Sequence, residues 1–203
     1  MDTSRGLLDT LDTNGLNTAL SEATCLGIQV EPANARLRLE LDVLTLPLDG
    51  PPPADCAVFL TLSGVSRVAA SFRRQQWDDL EPEILPATLE TLGDAVRSFG
   101  GGALHGWEFF DLDDSSWALW RELLSFDTVL GAGEGAHIFE FSQEEGIDPR
   151  ELDIRVWFDR VSIQDCHGHE IPVADFIAGG MRWWEAHDRC DPRTMRPDIV
   201  PAL

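Results

Sequence analysis

Residues 35–43 read ARLRLELDV, and the regular exchange of apolar and charged residues in this stretch decides what kind of fold the chain can make. Leu37, Leu39, Leu41 and Val43 fall on one side, and Arg36, Arg38, Glu40 and Asp42 on the other. A two-residue period of this kind belongs to a strand with one face in a core and the other in water, the habit of antiparallel sheets. Upstream, CLGIQVEP from Cys25 alternates in the same way, and EPANA between the two supplies a turn. Downstream, LDGPPPAD cannot continue a central strand, because three successive prolines lack donors and fix φ. Residues 56–73, CAVFLTLSGVSRVAASFR, resume the alternation, with Ser63-Gly64 marking a bend.

The period then changes. In LPATLETLGDAVRSFGGG, Leu85, Leu89, Leu92, Val96 and Phe99 step by three or four, which predicts a helix opened by Pro86 and closed by glycines. ALHGWEFFDL predicts a strand and DDSSWALWRELLSF a helix, followed by strands at HIFEFSQ and LDIRVWFDRVSIQD. A last helix is expected from Val173, with Phe176, Ile177, Met181 and Trp184 turned inward. Short helices are expected near LLDTL and NTALSEA, and residues 189–203 read as a surface tail. Strands adjacent in sequence favour antiparallel pairing, and helices come between groups of strands. The expected class is α+β, with mostly antiparallel sheet and two to four helices packed on it, in a single domain over 1–203. VFLTLSGVS at 58–66 and IRVWFDRVS at 154–162 carry apolar residues at the same four positions, which raises a pseudo-repeat of halves 23–99 and 103–188.

The 36 acidic residues outnumber 15 basic ones, for a formal charge of −21. Every basic residue is Arg; Lys and Tyr are absent, a bias that a GC-rich genome explains. Such a surface excludes free nucleic acid and an anionic membrane as expected partners, since both need clustered cations. No leader pattern or bilayer-length apolar run is legible, so a cytoplasmic location is expected. Cys25, Cys56, Cys166 and Cys190 make no CxxC pair and read as free thiols.

Residues 165–170, DCHGHE, hold the densest set of potential ligands. His167 and His169, joined by His105, are the candidate metal set, although Asp165 and Gly168 suit the first and the left-handed positions of a hairpin turn. No phosphate loop, nucleophile elbow or thiol–imidazole pair is legible, and no cofactor is expected. Trp183, Trp184 and Arg182 are candidate partner-binding residues, because Trp and Arg are enriched at interface hot spots. Asp78, Asp79 and Glu81 in WDDLEPE, with Asp113 and Asp114 in FFDLDDSS, are acidic groups suited to a basic partner.

The sequence therefore favours a non-enzymatic protein-binding domain that neutralises a basic protein. Acidic immunity proteins of bacterial toxin systems offer the analogy in composition, and a homo-oligomer is compatible with it. The alternative is a metal- or carboxylate-dependent hydrolase using His and Glu residues around 105–108 and 167–169.

Overall fold

The alternation at 35–43 becomes β2 (Arg36–Asp42), whose Leu37, Leu39 and Leu41 are fully buried. It pairs on one side with β1 (Thr24–Glu31) and on the other with β3 (Ala57–Ser63). The computed structural model describes residues 11–54, 56–101, 104–108, 121–145 and 150–195, with the backbone path alone for 104–108. It is an α+β fold of two antiparallel sheets and, among the described residues, three α-helices.

After β3 the chain leaves its sheet at Gly64–Ser66 and enters the second as β4 (Arg67–Arg74). The second sheet adds β5 (Glu83–Ile84), β6 (Leu104–Glu108), β7 (Phe126–Val129), β8 (His137–Glu144) and β9 (Arg150–Phe158). At Asp159 the chain crosses back into the first sheet as β10 (Arg160–Asp165), which is followed by β11 (Glu170–Ile171). The first sheet runs β1-β2-β3-β10-β11. The second runs β6-β8-β9-β4, with β5 and β7 both on the far edge of β4. Residues 58–66 and 154–162 thus occupy matching places: each holds a strand and then the point where the chain changes sheet.

The main core lies between the layers, and a smaller cluster of Leu44, Leu46, Trp183 and Ala186 lies apart from it. Val58, Leu60, Leu62 and Ile163 from the first sheet join Val68, Phe139, Phe141, Ile154, Val156 and Phe158 from the second. The helices α1 (Thr13–Leu20), α2 (Leu92–Arg97) and α3 (Val173–Asp188) add Leu16 and Leu20, Leu92 and Val96, and Phe176 and Ile177. Such burial is the main favourable term in folding, at about 25 cal/mol per Å² of apolar surface.

Three local expectations change. The helix read from Leu85 begins only at Leu92. Leu85 N–H instead donates to Phe72 O, extending the sheet edge, and Thr88 and Thr91 close their own turn through hydroxyl–backbone bonds that compete with a helix. A strand, β7, forms at Phe126–Val129, where the sequence showed no period; the helix read over 113–126 lies for the most part outside the described residues. On α3, Met181 is exposed and Trp183 is buried, so the inward stripe is Phe176, Gly180 and Trp183.

Gly180 lies in that stripe where α3 meets α1. A Cβ at Gly180 would lie 2.5 Å from Ala19 Cα, so α3 meets α1 through bare backbone. Alanine in a helix interior normally stabilises by about 1 kcal/mol over glycine. Here Gly180→Ala is expected to lower stability by about 1–3 kcal/mol, measured by denaturant unfolding; a gain would mean the helices can part freely.

Candidate partner-binding site

β4 and β5 are joined by the segment Gln75–Pro82. Its base is closed by the pairs Arg73–Ile84 and Arg74–Glu83, the second reinforced by an ion pair of 2.5 Å. Its tip is a turn in which Asp79 N–H donates to Gln76 O at 3.0 Å and the Asp79 carboxylate accepts from Gln76 N–H at 2.8 Å. An Asp that caps a turn in this way is held by its geometry and holds the loop. Asp78, Asp79 and Glu81 are all exposed, as their charge requires. Two apolar side chains are exposed with them: Trp77 at 96% and Leu80 at 98%.

Trp77 also walls a cleft of about 370 Å³, whose opposite side is Glu144, Glu145, Arg150 and Glu151. Arg150 donates to the Glu145 carboxylate, with Nε to Oε2 at 2.8 Å, and to Ser98 O. Glu151 pairs with Arg73. Glu144 is exposed and forms no ion pair among the described residues.

Behind this cleft, the outward side of the second sheet carries a polar row in which Arg155 and Asp153 are buried and Arg73, Glu140 and Glu151 partly so. Arg73 pairs with Asp153 as well as Glu151, and donates to Ser71 Oγ at 2.9 Å. Arg155, 0% exposed, donates from Nε to Glu140 Oε2 at 2.7 Å. Burial pushes the Asp153 carboxyl up to about 6, with Glu151 and Glu140 acting in the same direction and Arg73 against it.

The other sequence candidates are placed as follows. Trp183 is 2% exposed and stacks on His187, with ring centroids 5.2 Å apart. Trp184 is half-buried, its Nε1–H donating to Thr18 O, and Arg182 Nε donates to Leu46 O. These three residues fasten α3 to α1 and to the segment after β2. Asp113 and Asp114 lie outside the described residues, and so does the His105 side chain. DCHGHE is the β10–β11 hairpin turn: Gly168 N–H donates to Asp165 O at 3.0 Å, and Gly168 has φ +84. The Asp165 carboxylate accepts from the His169 and His167 N–H groups, which hold it below its ordinary pKa. His167 and His169 are exposed, whereas His137 packs on Phe158 and His187 on Trp183. Among the described residues no group of three or more His, Cys, Asp or Glu could hold a metal ion. None of the four cysteines forms a disulfide, and burial pushes the Cys25 thiol up to about 12.

A larger cleft, about 570 Å³, lies at the sheet crossing beside Ser66, Arg67, Gly135, His137 and Trp157. Its cation is already committed: Arg67 lies 4.7 Å over the Trp157 ring and is bidentate to Asp127. In the loop cleft Trp77 and Glu144 are exposed and, among the described residues, neither is held by an ion pair. Sequence reading named the acids of the loop, Asp78, Asp79 and Glu81, and missed both Trp77 and the cleft acids Glu144, Glu145 and Glu151; the available signal was that Trp77 belongs to neither a strand nor a helix period.

The chain matches no protein-family model, no curated protein and no solved structure. Among the described residues no helix is long and apolar enough to cross a membrane.

Asp153 gives a signed pH dependence. The folded state binds its proton more tightly than an unfolded chain, so its contribution to stability is full below about pH 4 and is lost as pH rises through about 6. The stability of the protein relative to its Asp153→Asn variant is expected to fall across that window, by on the order of 3 kcal/mol, in denaturant unfolding at each pH. A rise over the same window would mean that Arg73 dominates and keeps the carboxylate ionised.

Proposed function

We propose that this chain is a non-enzymatic protein-binding domain that holds a basic protein partner through the Gln75–Pro82 loop. The observation that carries this reading is the exposure of Trp77 and Leu80 on a hydrogen-bonded loop whose other exposed groups are Asp78, Asp79 and Glu81. A Trp standing almost wholly in water gains nothing for the fold, whereas at an interface it is the residue type that most often dominates affinity. The surrounding acids and the formal charge of −21 suit a cationic partner, which they would draw in quickly and with strong salt dependence. The same charge disfavours an anionic membrane as what the two apolar side chains meet. Neutralisation of a toxic basic protein, as by an acidic immunity protein, is the form of this function that the composition favours.

Affinity capture from the native host tests it, with the chain and its Trp77→Ala/Leu80→Ala variant immobilised side by side. A basic protein is expected on the unmodified chain at about 50 mM salt, lost at about 0.5 M, where charge is screened beyond a few ångströms. It is expected to be reduced at least tenfold on the variant. Equal capture by both, or no basic protein on either, would contradict the proposal.

A further inference from the structure

We propose that the cleft walled by Trp77 is a receptor for one arginine side chain of the partner, with the guanidinium stacked on the Trp77 indole and paired with the Glu144 carboxylate. This rests on the reading of the loop as a partner surface and names the chemistry the surface takes.

Within the cleft every charge but one is committed. Glu145 holds Arg150, Glu151 holds Arg73, and Arg150 is drawn aside further by Ser98 O. Glu144 forms no ion pair and Trp77 no ring contact or hydrogen bond among the described residues. Three carboxylates against one guanidinium line the walls, so the site attracts a cation. Its volume equals a cube about 7 Å on a side, too narrow for a helix of roughly 10 Å and wide enough for a single long side chain.

The choice of arginine over lysine follows from the shape of the two groups. A guanidinium is planar, stacks on an indole face and keeps donors at its edge for a carboxylate; an ammonium is a compact, strongly hydrated charge that cannot do both so well. The protein already builds such a triplet within itself. Arg67 lies 4.7 Å over the Trp157 ring while its edge is bidentate to Asp127. Arg38 repeats the stacking, 3.7 Å over the Phe59 ring. At Trp77 and Glu144 the ring and the acid are present, and the partner supplies the arginine.

The test uses the full chain and two probes, a tetra-arginine and a tetra-lysine peptide, followed by NMR at the indole N–H of Trp77, which is assigned by its loss in Trp77→Phe. Saturable shifts of that resonance are expected with the arginine peptide, at concentrations about fivefold lower than with the lysine peptide. Glu144→Gln should weaken the arginine peptide several-fold while the rest of the spectrum stays unchanged. Equal response to both peptides, shifts elsewhere without Trp77, or an unaffected Glu144→Gln variant would overturn the arginine receptor. Peptide binding probes the cleft without the partner. If these tests fail while Trp77→Ala/Leu80→Ala still abolishes capture, the receptor falls and the partner surface stands; if capture persists in that variant, the surface itself falls.

Discussion

The two sheets are joined at one crossing, where Ser66 N–H donates to Trp157 O at 2.9 Å and Asp159 N–H donates to Ser63 O at 3.0 Å. Both changes of sheet happen here, side by side, so β3 and β4 run beside β10 and β9 as one long bent ribbon. Gly64 makes the approach possible: its φ is +70, and a Cβ there would lie 2.4 Å from Asp159 Oδ2. Val65, 1% exposed, fills the bend with apolar volume, and its N–H donates to Ala35 O. This register fixes the site as well. Because Arg73 stands opposite Glu151 and Arg74 opposite Arg150, the loop that leaves β4 must rise beside the start of β9, and Trp77 meets the carboxylates of the cleft.

The energetics divide the molecule in two. The core conforms to a simple rule, with apolar residues of both sheets and three helices buried together. The outward side of the second sheet departs from it by burying Arg155 and Asp153, which Glu140 and Arg73 answer. Buried ion pairs of this kind give little net stability but are costly to break, so they fix geometry more than they add to the total. The row ends at Glu151, one wall of the cleft, and so connects the rigid interior to the exposed loop.

Much of this was legible in the sequence. Alternation gave β2 and β3 nearly to the residue, because a strand with one buried face writes its period directly into the chain; β1 and β4 form where expected although a register shift at Cys25/Gly27 interrupts β1 and both faces of β4 are buried. DCHGHE was legible as a turn, since Asp165 and Gly168 meet backbone demands that few residues can. What was hidden depended on neighbours distant in the chain. Gly180 marks a close helix crossing, visible only once α1 is known to lie against α3, and Gly179 makes room for Thr45 after β2. Glu140, Asp153 and Arg155 alternate with apolar residues as a water-facing row would, and periodicity separates two faces without saying whether both are covered. The tryptophans were hard for the same reason. Trp183 and Trp184, adjacent on a helix, drew attention as interface residues and serve packing, while Trp77 in an acidic connector stands in solvent.

That contrast between tryptophans is the centre of the account, and unfolding free energies measured on Trp77→Ala and Trp183→Ala test it most directly. A Trp retained for a partner should leave the fold indifferent to its loss, so Trp77→Ala should change stability by less than about 0.5 kcal/mol. Trp183→Ala, which empties a buried site, should cost about 3–5 kcal/mol. A loss at Trp77 comparable to that at Trp183 would make Trp77 part of the structure and contradict the assignment of the loop to binding.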